Sequence, residues 1–255
     1  MTETGKYLYA IIPCDKERPF DVAGMDDMPV HTICYDGMCA VVSDSLVPQY
    51  ESSRKYLLAH ERVLENAMKE FTLLPVRFGT VADSESGRRA IEELLKSRSE
   101  EFQKLLRDVE GKVELGLKAF WRDEKTIFEE ITSENEDIRR LRGLLSRKQA
   151  ESAYFDKVHL GEMVKAALDR KRAKEAAEIL TPLRQLAHSV KENPVLADRM
   201  VVNAAFLVEE GRGPEFHRAV TNLDERFGRR IAFKYIGPVP PYNFVNIIVN
   251  WKTLK

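Results

Sequence analysis

Between Asp123 and Glu192 the chain carries 14 acidic and 14 basic side chains in 70 positions, yet its apolar residues keep helical spacing. Ile127, Ile131, Ile138, Leu141 and Leu145 step by four, seven, three and four, and Ala176, Ile179, Leu180, Leu183 and Leu186 form a second stripe of the same kind. So much charge with so little apolar surface describes a solvated helical region. Two amphipathic helices packed as an antiparallel hairpin is the simplest way to bury both stripes. Pro182 interrupts the second stripe and is expected to kink or restart that helix, because it has no amide donor and clashes one turn back.

On either side of this region the pattern is β-like. Tyr7-Leu-Tyr-Ala-Ile-Ile12 is aromatic and β-branched and stops at Pro13, as a strand does at a residue that cannot donate to a ladder. Val30–Tyr35 and Met38–Ser43 flank Asp36-Gly37, a dipeptide whose tolerance of positive φ suits a tight hairpin. A helix follows over Ser52–Phe71, then a strand over Leu73–Val81 interrupted at Pro75, then a helix over Ser84–Arg107 with Ser84 as its cap. The order β-ββ-α-β-α predicts an α+β open sandwich of the ferredoxin-like kind.

The domain boundary is expected near Gly111, giving an N-terminal α+β domain over 1–110 and a C-terminal one over 111–255. Strands at Lys112–Trp121, Met200–Val208, Arg229–Ile236 and Phe244–Trp251 and a helix at Pro214–Phe227 surround the charged hairpin of about 123–192. The second domain thus reads as a modified ferredoxin-like unit with a long helical hairpin inserted.

Composition removes several functions. The 40 basic and 41 acidic residues nearly cancel, so the basic field that non-specific nucleic-acid binding needs is missing. No run approaches the ~18–20 apolar residues that cross a bilayer, and the first twenty residues lack a basic flank with an apolar signal core, so no membrane is expected and the protein is placed in the cytoplasm. Cys14, Cys34 and Cys39 are odd in number and form no CxxC; all three are expected to be thiols packed as small hydrophobes.

Chemistry-bearing motifs are sparse. His60-Glu61 opens like a zinc-protease motif, but Leu64 stands where the second histidine would be. His31, His159, His188 and His217 are scattered, and no glycine-rich phosphate loop, GxSxG elbow or EF-hand loop is present. No catalytic residue, metal or cofactor is expected. Arg77, in Pro75-Val-Arg-Phe-Gly-Thr80, could hold an anion; the plainer reading pairs it with Asp83 or Glu85 while Phe78 packs inward. An enzyme built on Arg77, His60 and Glu61 requires the three to converge on one point.

Gly237-Pro-Val-Pro-Pro-Tyr242 is the least ordinary segment. It reads as a rigid loop between the last two strands, with Tyr235 and Tyr242 packing on the prolines. It also reads as a preformed apolar surface, since a stiff segment loses little entropy on binding. Pro238, Pro240, Pro241, Tyr242, Phe244 and Trp251 are the candidate partner-binding residues.

Tyr235-Ile-Gly-Pro-Val-Pro-Pro-Tyr-Asn-Phe-Val245 resembles the C-terminal signature of the gas vesicle protein F/L family. Tyr7-Leu-Tyr-Ala, Ala40-Val-Val-Ser43, Ala59-His-Glu61, Leu74-Pro-Val-Arg-Phe-Gly-Thr-Val81, Glu114-Leu-Gly116 and Asn203-Ala-Ala-Phe-Leu-Val208 resemble the family's other landmarks, in the same order. Val239 departs from it, standing where the family often has tryptophan.

The resemblance implies two α+β domains without catalytic residues or a cofactor. It also implies a minor gas vesicle protein, active in assembly, that binds the shell subunit, gas vesicle protein A, and keeps it from aggregating during nucleation. Other minor vesicle proteins are further expected partners, and the gas vesicle is an expected location. The competing reading is a small-molecule-binding regulatory module of ferredoxin-like type, which a deep cleft with converging polar groups would favour.

Overall fold

The computed structural model describes residues 4–82, 87–146 and 154–251. The opening aromatic run becomes β1 (Gly5–Pro13), in which every residue from Tyr7 to Ile12 is fully buried. Such a strand needs cover on both faces, and it has two cores. Leu8 and Ile11 belong to one, and Tyr7, Tyr9, Ala10 and Ile12 to the other.

Antiparallel neighbours extend the sheet: β2 (Pro19–Ala23), β3 (Pro29–Tyr35) and β4 (Met38–Ser45) follow β1 in sequence and lie in the order β2-β3-β4-β1. The hairpin at Asp36-Gly37 forms as expected, with φ of 47° and 75° at the two turn residues, as a two-residue mirror-image turn requires. That turn places Cys34 directly opposite Cys39, and the two are joined as a disulfide, leaving Cys14 as the free thiol. The expectation of three thiols is therefore corrected; the reason is register, since cross-strand partners stand side by side.

Helix α1 (Arg54–Met68) is capped by Ser53, whose side chain accepts from the Tyr56 amide, and it buries Ala59, Val63, Leu64 and Ala67 in the core behind Tyr7 and Tyr9. The strand expected over Leu73–Val81 is two short pieces, β5 (Leu74–Pro75) and β6 (Val81–Ala82), both paired with β1. Gly79, at φ 83°, turns the chain between them. The helix expected over Ser84–Arg107 is likewise two, α2 (Gly87–Ser97) and α3 (Ser99–Val109), separated at Arg98 by a non-helical φ/ψ of −114°/20°. Their Ile91, Leu94, Leu95, Phe102 and Leu106 fill the core on the Leu8 side. The Ser84 cap lies outside the described residues.

A second sheet holds β7 (Lys112–Trp121), β8 (Ser189–Glu192), β9 (Met200–Glu209) and β10 (Ile231–Val239) in the order β10-β7-β9-β8. Among the described residues, the charged region between β7 and β8 forms three helices rather than two: α4 (Glu124–Glu134), α5 (Glu136–Leu145) and α6 (Tyr154–Arg184). Asn135 makes the extra break, with an extended φ/ψ of −114°/106° and its side-chain amide donating to the Ile131 carbonyl at 2.7 Å. Ile127, Ile131 and Ile138 of the first stripe and Ile179, Leu180 and Leu183 of the second are buried. Pro182 lies inside α6, in its last turn, and the helix runs on to Arg184, so it does not restart there.

Helix α7 (Gly213–Phe227) has Pro214 in its first turn. Behind it, Arg230 forks onto Glu130 and Glu175, Lys171 bridges Glu130 and Glu134, and the Trp121 indole donates to Glu175 at 2.6 Å. Shared guanidinium contacts hold the Glu130 carboxyl down at about 2.

Met1–Leu115, Leu207–Glu210 and Gly237–Lys255 make one compact unit, and Gly116–Phe206 with Gly211–Ile236 make the other. The strand expected over Phe244–Trp251 does not form. After β10 the chain turns and makes a single parallel bridge, Ile247 to Val76. Among the described residues no helix is long and apolar enough to cross a membrane.

Candidate functional site

Pro240 and Pro241 offer no amide donors, so the chain leaves the ladder where they begin. The Tyr242 and Phe244 amides donate back to the Pro240 and Pro241 carbonyls at 2.7 and 3.0 Å and close a turn. Asn243 in that turn is gripped by Glu114, through its backbone amide at 2.7 Å and its side-chain amide at 2.5 Å. Glu114 is 3% exposed, and a carboxylate that far from water needs such donors. Gly237 makes the approach possible: its φ is 124°, and a Cβ there would stand 2.8 Å from the Glu114 carbonyl oxygen.

The Tyr242 hydroxyl donates to Glu61 of α1. Burial raises the Glu61 carboxyl above its ordinary range. Val245 and Ile247 then enter the core beside Leu74 and Val76, and Arg98 donates to the Ile248 carbonyl at 2.9 Å.

These anchors wall a cleft of about 330 Å³ in the first unit. Helix α1 contributes Leu57, His60 and Glu61, the segment after β5 contributes Arg77 and Phe78, and the C-terminal segment contributes Tyr242 and Asn246. His60, Glu61 and Arg77 therefore do share one cavity, but His60 is not available for proton transfer. It is 4% exposed, its Nδ1 lies 3.0 Å from the Tyr7 hydroxyl, and its ring also bonds the Val76 backbone.

The Val76 amide already donates to the Tyr9 carbonyl, so the ring N–H donates to the Val76 carbonyl and Nδ1 accepts from Tyr7. The Tyr7 oxygen in turn accepts from the Gly79 amide at 3.0 Å. Burial lowers the imidazole to about 4, so it stays neutral. Phe78 packs inward with its ring 5.7 Å from that of His60.

Arg77 is exposed; its backbone carbonyl accepts from the Thr80 hydroxyl at 2.7 Å, and its guanidinium has no hydrogen-bond or ion-pair partner among the described residues. Asp83 and Glu85, its expected partners, lie outside the described residues. Of the six residues proposed from sequence for partner binding, Pro240 and Pro241 are buried, and Phe244 and Trp251 are half-buried against the first core. Pro238, in β10, and Tyr242, at the cleft, are exposed. The six do not form one accessible surface. Sequence reasoning named Glu114 only within the landmark Glu114-Leu-Gly116 and gave it no role; the further signal was a lone carboxylate inside the mostly apolar strand β7.

Over residues 5–246 the sequence matches the family described as Gas vesicle synthesis protein GvpL/GvpF. The chain belongs to that family. Gas vesicle protein F of Streptomyces sp. (strain CB03234) is 30% identical, over 94% of this chain and 98% of its own length. The crystal structure of GvpF from Anabaena sp. PCC7120 superposes with a TM-score of 0.84 at 28% identity, covering 96% of this chain and 100% of that one. GvpF from Microcystis aeruginosa gives 0.79 at 29% identity, covering 94% and 98%. The α+β arrangement of two sheets and a long helix is thus shared along nearly the whole length of solved GvpF chains, and the cleft lining except Ile247 falls inside the portion that matches GvpL/GvpF.

Proposed function

We propose that this GvpL/GvpF member acts in gas vesicle assembly by binding the shell subunit, gas vesicle protein A, and keeping it from aggregating during nucleation. In this reading it works in the cytoplasm and on the growing vesicle, contacts other minor vesicle proteins, and is not an enzyme. The observation that carries the reading is the match to Gas vesicle synthesis protein GvpL/GvpF over residues 5–246. Two features of the first unit support it. Leu57 and Leu58 are 44% and 53% exposed on α1, where a reversible apolar contact could be made. His60, the one imidazole in the cleft, is held neutral by burial and tied through Nδ1 to the Tyr7 hydroxyl, so it serves the core.

Co-expression pull-down against gas vesicle protein A, the other vesicle proteins of the host and an unrelated hydrophobic protein tests the reading. Selective recovery of the shell subunit is expected. Recovery of other minor proteins alone would replace shell binding with a scaffold role, and recovery of nothing would favour a small ligand in the cleft.

A further inference from the structure

The cleft in the first unit is lined by two side chains that carry charge, Glu61 and Arg77, and they are not in the same state. Glu61 accepts the Tyr242 hydroxyl. Arg77 points no donor at any described residue, although the walls beside it are Leu57, Phe78 and the buried Val76. A guanidinium presents a planar fork that matches a carboxylate, and the pair gains strength where apolar walls exclude water. A guanidinium with no partner among the described residues suits a single carboxylate. A phosphate-rich ligand would call for several, and His60 cannot supply another because it stays neutral.

We propose that this cleft docks a partner segment in which one acidic side chain is neighboured by aliphatic ones. The carboxylate seats on Arg77, and the aliphatic side chains cover Leu57 and lie against Phe78. This inference rests on the reading that the protein binds the vesicle shell subunit, and it assigns that contact its chemistry and its place in the fold.

Co-expression with gas vesicle protein A separates the two. Wild type, Arg77→Glu, Arg77→Lys and Arg89→Glu are recovered in parallel, each checked for native circular dichroism. Arg89 is an exposed arginine of α2 outside the cleft, so it controls for net charge. Arg77→Glu is expected to cut shell-subunit recovery about tenfold, Arg77→Lys to keep part of it, and Arg89→Glu to leave it unchanged. If wild type recovers the subunit and Arg77→Glu recovers as much, the docking proposal is overturned while the assembly reading stands. Equal losses in Arg77→Glu and Arg89→Glu also overturn it, because only net charge would then matter. If wild type recovers nothing, the assembly reading fails, and the docking proposal with it.

Discussion

His60 is an ionisable ring placed where adding a proton at Nδ1 takes away the acceptor of the Tyr7 hydroxyl and puts a charge in the core, while the ring N–H keeps the Val76 carbonyl. Its ordinary value of 6.5 falls to about 4 in the folded chain, with burial the dominant cause. A depressed folded pKa means the unfolded chain takes up the proton first. The associated stability is therefore complete above 6.5 and is lost as pH falls towards 4. Between pH 7 and pH 5 that amounts to about 2 kcal/mol. Urea unfolding at the two pH values should show the loss in wild type. His60→Gln should be less stable at pH 7 by about 1–3 kcal/mol, because the Tyr7 hydroxyl loses its acceptor, yet show a flatter dependence between pH 7 and 5. An unchanged slope in the variant would mean that other groups set the acid sensitivity.

At the level of elements, legibility followed local chemistry. The Asp36-Gly37 turn was readable because its two positive φ angles are a property of the dipeptide itself. The same turn contains the Cys34–Cys39 pairing, since a two-residue loop dictates which residues face each other; odd cysteine number obscured it. The segment after the prolines shows the opposite limit. Val245 and Ile247 are buried while Asn246 and Ile248 are exposed, so the period-two pattern reports burial faithfully. It says nothing about hydrogen-bonded neighbours, and the segment finds only the Val76 bridge.

Likewise, His60, Glu61 and Arg77 could be named from sequence, but their shared cleft depends on Tyr242 reaching Glu61 across a long stretch of chain. If packing rather than pairing holds this segment, Ile247→Ala should cost about 3 kcal/mol. Ile248→Ala, at a side chain 56% exposed, should stay within about 0.5 kcal/mol. Equal costs in urea melts would point to a backbone ladder instead.

The whole chain contributes to the first unit from both ends. Its core on the Leu8 side includes Leu207, Val245 and Ile247 together with Ile91, Leu94 and Phe102. Glu114, buried in β7, has its donors on Asn243. A fragment of residues 1–110 keeps β1 to β6 and the helices α1 to α3, but it loses these three aliphatic side chains. Each fully buried aliphatic side chain contributes about 1.5–3 kcal/mol, whereas an entire domain has about 5–15 kcal/mol of net stability. Three such losses bring a typical domain close to zero. The fragment should therefore give a shallow urea transition and weak amide protection, while the full chain protects the amides of β1 and β4. A sharp transition in the fragment, with β1 as protected as in the full chain, would show that the N-terminal sheet and its three helices suffice, and that the C-terminal segment adds a docked surface to a core already complete.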